Sequence, residues 1–254
     1  MASKSKWRRS SAVALFLWCG AASTFASEPK VLPDGFVRLR EIAPEIRQDI
    51  RYASGFNFTA GIVPGYARAE CILTRPAASA LVRADKDLRA KGYALKVYDC
   101  YRPARAVAHF MAWLSKTGNG DMQRVFLPNV DRSKLDALGY VAPKSSHSAG
   151  STVDVGLVRA GDAPLPTPLS SGRCDGAMSE RPAESSVDLG TSFDCFSPAS
   201  AYAAKSVGDA ARSNRTILRD AKIAAGFAPY DREWWHFRLR DEPFPGRAFD
   251  FEVE

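Results

Sequence analysis

The chain of 254 residues holds 35 Lys and Arg against 28 Asp and Glu, a formal charge of +7 with neutral histidines. Four of those basic residues and no acidic ones lie in the first 26, so without that stretch the charge falls to +3 and nothing points to a nucleic-acid partner. The roughly 228 residues that follow are enough for one domain with a substantial core.

At the N-terminus, Lys4, Lys6, Arg8 and Arg9 form a basic head, Ala12 to Trp18 an apolar run, and Thr24-Phe-Ala26 a small-residue cleavage pattern. This is the pattern of a secretory signal peptide over 1–26, and it predicts export, to the periplasm, after cleavage near Ala26. The apolar run is too short to span a bilayer, and no later segment approaches that length, so the mature chain is expected to have no membrane span. Cleavage would remove Cys19 and leave Cys71, Cys100, Cys174 and Cys195. An even number in an exported chain suggests disulfides, with three pairings open. Cys174–Cys195 would close a loop-rich segment and Cys71–Cys100 would tie two core elements. No two of them have the CxxC spacing of a cysteine metal site.

Residues 47–73 read as mixed strand and loop. Pro76 to Lys91 reads as a helix, with Pro in its first turn, Leu81, Ala84 and Leu88 at helical spacing, and Gly92 as its cap. Tyr93 to Tyr98 alternates as a strand, and Pro103 opens a second helix with Val107, Phe110, Met111 and Leu114 on one face. Ser151 to Val158 is a further strand. Residues 160–187, rich in Pro, Gly, Ser and Ala, read as a surface insertion. Asn214 to Ala225 reads as a helix ended by Gly226, and Glu233 to Leu239 as a final buried strand. Short strands interspersed with helices predict an α+β domain, a small and mainly antiparallel sheet flanked by helices. No glycine-rich string of the dinucleotide or P-loop type occurs.

The three histidines are informative by their settings. Asp154 alternates with Val153 and Val155, so it leaves the core face of its strand, and His147 in the Gly-containing turn just upstream can fold back beside it. A histidine and a carboxylate converging in this way suit zinc, and His236 is a candidate third ligand. Glu233 lies three residues before His236, and residues three apart in a regular strand face opposite sides. Both reach one site only if Glu233 sits at the irregular entry of the strand or the segment bulges. Three protein ligands would then leave a position for water, with Glu233 as general base. Arg102, fixed between a strand and a helix start, is a candidate stabiliser of an oxyanion. Taken singly, each of these side chains also has an ordinary structural role open to it, and His109, within a helical pattern, is read as structural.

The strings Asp99-Cys-Tyr-Arg-Pro103, Ser145-Ser-His147 with Gly150 and Asp154, Gly190-Thr-Ser-Phe-Asp194 and Glu233-Trp-Trp-His236 together resemble the VanX-type D-alanyl-D-alanine dipeptidases. The likeness runs from about Ile50 to the C-terminus and includes Asn57-Phe58, Gly65-Tyr66, Arg240-Asp-Glu-Pro243 and Phe249-Asp-Phe251. It implies a zinc metallopeptidase with a Hedgehog-like fold and one zinc per chain, held by His147, Asp154 and His236. It also implies Glu233 as catalytic base, Arg102 as transition-state stabiliser, and Ser145, Ser146, Asp194 and Tyr52 as walls of a pocket for a small D,D-dipeptide. A D,D-carboxypeptidase acting on longer peptidoglycan stems is the alternative, and a wall-binding module without activity is a third reading. Three features depart from the family pattern: Cys100 stands where a Gly-like residue is expected, 160–187 has no clear counterpart, and no histidine follows Asp194 closely.

Overall fold

A computed structural model describes residue 1 and residues 31–116, 120–163 and 172–254. The expected signal peptide therefore lies outside the described residues, apart from Met1. In chain order the elements are β1 (Phe36–Arg38), α1 (Leu39–Ile42), β2 (Arg47–Gln48), β3 (Ile72–Thr74), α2 (Arg75–Arg89), β4 (Tyr93–Asp99), α3 (Ala104–Leu114), α4 (Asp121–Phe126), β5 (Thr152–Arg159), α5 (Asp209–Ala224), β6 (Phe227–Tyr230) and β7 (Glu233–Leu239). Val31–Glu254 form one compact unit. None of the described helices is long and apolar enough to cross a membrane.

The expected α+β architecture is present. Five strands form a sheet in the order β2-β4-β5-β7-β6, and β1 pairs with β3 in a second, two-stranded sheet. The larger sheet is mixed: β2 runs parallel to β4, while the β4–β5, β5–β7 and β7–β6 pairings are antiparallel. Helix α2 buries Ala77, Ala80, Leu81, Ala84 and Leu88, a stripe at helical spacing, and ends before Gly92, whose φ of +79° needs no Cβ to accommodate. Helix α5 begins at Asp209, five residues before the expected start at Asn214. Asp209 in its first turn complements the helix dipole, and Ala210 and Ala211 favour helix, so the polar Ser213-Asn214 pair lies inside the helix instead of capping it.

The stretch 160–187 is not a simple surface insertion. Within its described part Cys174 is fully buried and Arg181 and Glu184 nearly so. Cys174 is bonded to Cys195, and the backbone N–H of Cys174 donates to the carbonyl of Val125 at 2.9 Å. Residues 160–163 and 177–180 are exposed as the composition suggests, whereas Arg181 and Glu184 are paired inside, with Asp188 and Arg51. The second disulfide joins Cys71 to Cys100, so two of the three possible pairings are excluded.

One buried charge has no such partner. Lys222 on α5 is fully buried, with Nζ 3.3 Å from the ring centre of Phe227 and 5.4 Å from that of Phe237, and it makes no hydrogen bond. Burial pushes its ammonium well below the usual lysine value. The unfolded chain then binds more protons than the folded one below the ordinary lysine pKa, so this contribution to stability rises with pH and is lost as pH falls. Replacing Lys222 with Met is expected to stabilise the fold at pH 7 by about 1–4 kcal/mol and to flatten the rise of Tm between pH 7 and 10. Calorimetry across that range checks it, and a lower Tm for the variant at pH 7 would contradict it.

Candidate functional site

Strand register builds the centre of the site. Asp154 on β5 lies directly opposite His236 on β7, with Val153 opposite Phe237. On the other side of β5 the pairing with β4 shifts between Val97 and Asp99, which brings Asp99 opposite Asp154. Cross-strand partners share a face, so Asp99, Asp154 and His236 form a row across three strands while Val153 and Val155 are buried on the other face. His147 comes from the turn before β5, the single 3-10 turn Ser146–Ala149. Ser145 Oγ accepts the His147 backbone N–H at 3.3 Å, and Gly150 at φ +79° reverses the chain towards β5. A Cβ at Gly150 would come within 2.2 Å of the Phe36 ring, so the turn requires glycine twice over.

The three side chains present one donor atom each. His147 Nε2 is 3.3 Å from His236 Nδ1 and 3.3 Å from Asp154 Oδ1, and His236 Nδ1 is 3.1 Å from Asp154 Oδ1. Ligands about 2.0–2.1 Å from a tetrahedral metal are separated by about 3.3 Å, so these distances match one face of such a tetrahedron. Asp154 Oδ1 is buried and has no hydrogen-bond partner, the condition of an oxygen awaiting a cation. His147 Nδ1 donates to the carbonyl of Cys100 at 2.7 Å, which leaves Nε2 with its lone pair facing the cluster. His236 Nε2 lies 3.4 Å from Ser146 Oγ, while Nδ1 is the ring nitrogen turned to the cluster. Burial holds His236 below the usual histidine value and so favours the neutral, ligating form. Burial opposes ionisation of Asp154, but His147 and His236 beside it hold its carboxyl far below the ordinary range. The donor set therefore fits a divalent metal of borderline softness.

Glu233 reaches the same centre because β7 is irregular where it must be. Pro229 pairs with Phe237, yet the next residue, Tyr230, pairs with Glu233. Trp234, Trp235 and His236 thus have no counterparts on β6, and this bulge turns Glu233 and His236 to one side. Glu233 Oε2 is 3.8 Å from His236 Nδ1. Burial, and then the charges of Asp154 and Asp194, raise its carboxyl well above the usual carboxylate value. A carboxyl so raised holds a proton more readily than an exposed glutamate does.

Arg102 is clamped. Its Nε and Nη2 lie 2.9 and 2.8 Å from Asp99 Oδ2, and its guanidinium stands over the rings of Tyr52 and Phe110 at 5.1 and 5.2 Å. Nη2 remains 3.6 Å from Asp154 Oδ2, so the cation faces the cluster of His147, Asp154 and His236. Asp99 is fully buried and accepts the Tyr66 hydroxyl at 2.7 Å on its other oxygen. Opposite, Asp194 accepts the Tyr52 hydroxyl at 2.8 Å and holds a φ of +58°, a left-handed conformation uncommon for a residue with a side chain. Burial, then the charge of Asp154, pushes the Asp194 carboxyl up to about 8.

All nine residues singled out from the sequence (Tyr52, Arg102, Ser145, Ser146, His147, Asp154, Asp194, Glu233 and His236) line one cavity of about 390 Å³, walled further by Phe58, Phe110, Tyr140, Phe196 and Tyr230. The two serines also serve the frame, Ser145 as a turn cap and Ser146 against His236. Sequence reasoning gave no role to Asp99, Tyr66 or the Cys100 carbonyl. Asp99 had a signal, a carboxylate three residues before Arg102; a backbone carbonyl has none. His109 is half-buried on α3 and takes no part in the cavity.

Cys100, the departure beside Arg102, thus carries the carbonyl that orients His147 and is tied through its disulfide to Cys71. Replacing both cysteines with serine is expected to lower metal affinity about 10–100-fold, the usual cost of disturbing an outer-sphere partner, and to cost about 3–4 kcal/mol of stability. A chelator-competition titration reads the first effect; unchanged affinity would show that the carbonyl holds its place without the bridge.

The M15 peptidase family, described as D-ala-D-ala dipeptidase, matches residues 33–181 and 166–254. A D-alanyl-D-alanine dipeptidase of Enterococcus faecium is 37% identical over 220 residues, covering 87% of this chain and 98% of that protein. One from Enterococcus faecalis is 36% identical over 222 residues, 87% of this chain and 100% of that protein. One from Streptomyces coelicolor is 34% identical over 218 residues, 86% of this chain and 98% of that protein.

Proposed function

We propose that this chain, which belongs to the M15 peptidase family of D-ala-D-ala dipeptidases, is a zinc metallopeptidase that hydrolyses D-alanyl-D-alanine to two molecules of D-alanine. The observation that carries the reading is the set of three donor atoms 3.1–3.3 Å apart with Glu233 and Arg102 against them in one cavity. Zinc fits this mixed nitrogen and oxygen set, and when bound it supplies Lewis-acid polarisation of a carbonyl and acidifies water to a pKa of about 7.

The chain's own groups do the rest. Glu233 takes a proton from the attacking water and passes it to the nitrogen of the leaving D-alanine as the peptide bond breaks. Arg102, kept cationic and immobile by Asp99, stabilises negative charge as it develops on the carbonyl oxygen. Asp194, braced by Tyr52, receives the substrate ammonium, which holds the carboxylate ionised despite its burial. Ser145 and Ser146 offer hydroxyl donors to the substrate carboxylate. A cavity near the low end of the range for small-ligand sites suits a dipeptide.

The N-terminal pattern supports export to the periplasm, and two disulfides suit an oxidising compartment. There the enzyme would scavenge wall-derived dipeptide, since it has no access to a cytosolic precursor pool. Product analysis with D-alanyl-D-alanine beside a stem pentapeptide ending in the same pair tests the substrate: release of D-alanine from the free dipeptide supports the reading, and release from the pentapeptide alone would make the chain a D,D-carboxypeptidase.

A further inference from the structure

The Tyr52–Asp194 hydrogen bond is one of two ties between the same two segments. One residue before Tyr52, Arg51 is fully buried and points the other way, with Nη2 3.1 Å from Glu184 Oε1 and 3.0 Å from Asp49 Oδ2. One residue before Asp194, the backbone N–H of Phe193 donates to both oxygens of Glu184, at 3.2 and 3.1 Å. Glu184 therefore bridges Arg51 to Phe193 beneath the cavity, while Tyr52 and Asp194 meet within it. The carbonyl of Glu184 is itself held, by Lys96 Nζ at 2.6 Å, and Lys96 is ion-paired to Asp49 at 2.7 Å. The Arg51 guanidinium lies over the Tyr98 and Phe56 rings, and the Phe193 ring stacks on Tyr98 at 4.6 Å, so neither side of the bridge has room to swing.

This arrangement is costly as a device for stability alone. A buried ion pair often contributes no more than an apolar pair of the same volume, and here Nε and Nη1 of Arg51 are buried without hydrogen-bond partners as well. What it secures is the residue that follows. A non-glycine residue at φ +58° persists only where its neighbours over-determine it. Asp194 is so held on both sides: by Glu184 through Phe193, and by the Cys174–Cys195 disulfide at the next residue.

We propose that Glu184 and Arg51 are positioning residues for the substrate ammonium: their buried bridge fixes Phe193, and through it aims the Asp194 carboxylate at the amino end of the dipeptide. The proposal rests on the reading of Asp194 as the ammonium partner. It assigns a specificity role to a segment without regular secondary structure, and it concerns groups that touch neither metal nor substrate.

The test compares the zinc-loaded full chain with Glu184→Gln and Arg51→Lys, with Asp194→Asn as the control for the underlying reading. Read out are kcat and KM for D-alanyl-D-alanine, the Ki of its N-acetylated form in competition, and zinc content. Glu184→Gln is expected to raise KM for the free dipeptide about tenfold while kcat stays within about threefold and the Ki of the uncharged analogue scarcely moves, the signature of a weakened charge-assisted contact. Arg51→Lys, which keeps a cation in the network, is expected to give the same split at smaller size, and it carries the test if Glu184→Gln does not fold. Equal losses for charged and uncharged ligands, or no change in either, would overturn the proposal. If Asp194→Asn itself leaves the preference for the free amine intact, the failure lies in the ammonium reading instead.

Discussion

Replacing Glu233 with Gln is expected to lower kcat for D-alanyl-D-alanine by about 10³-fold or more while zinc stays near one per chain, placing the loss at the upper part of the range for a general acid–base group. Glutamine keeps the size and one acceptor oxygen but cannot carry the proton. The side chain stands 3.8 Å from His236 Nδ1 and is not one of the three mutually close donors, so the metal should remain. The KM should change little, because the group acts on the proton in flight and not on the substrate at rest. Rapid loss of zinc from the variant would mean that Glu233 is a ligand, and activity within about tenfold of the parent would remove it from the proton path.

Asp154 gives the second large effect, of a different kind. Asp154→Asn is expected to weaken zinc binding by more than about 10²-fold, beyond what outer-sphere changes cause, and to abolish hydrolysis as a consequence. The carboxylate is buried, its Oδ1 has no other partner, and two histidine nitrogens stand 3.1 and 3.3 Å from it. An amide there removes the one negative charge that both neutralises a dication and orders the imidazoles. Added zinc should raise the Tm of the parent by mass action and leave that of the variant nearly unmoved. A variant that retains stoichiometric zinc through dialysis against chelator would contradict the assignment.

The face of Asp154 was legible because strand alternation is a local rule: Val153 and Val155 are buried in the core and Asp154 turns the other way. The placing of Glu233 was legible only as a condition. A three-residue separation is wrong for a regular strand, and the bulge that repairs it depends on β6, whose register against β7 no local pattern encodes. The same holds for Asp99, which enters the row of site residues through a register shift between β4 and β5. Backbone acceptors are silent altogether, so the Cys100 carbonyl behind His147 left no trace. The reading of 160–187 as surface holds at 160–163 and 177–180, which are exposed, and misses the buried Arg181 and Glu184 for a related reason. Composition counts Arg181 and Glu184 as solvent-facing, whereas burial of charge is decided by partners, and the partner of Glu184 lies 133 residues away at Arg51. The cysteine pairing stayed open among three options until the fold brought Cys71 beside Cys100 and Cys174 beside Cys195.

The central claim is that this centre is a zinc site which cleaves D-alanyl-D-alanine. The most direct test is D-alanine release from that dipeptide by the purified mature protein, stripped of metal and then titrated with zinc. Activity that is absent in the stripped protein and saturates at one zinc per chain is the predicted result. Saturable zinc binding without dipeptide cleavage, or cleavage that persists in the stripped protein, would contradict it.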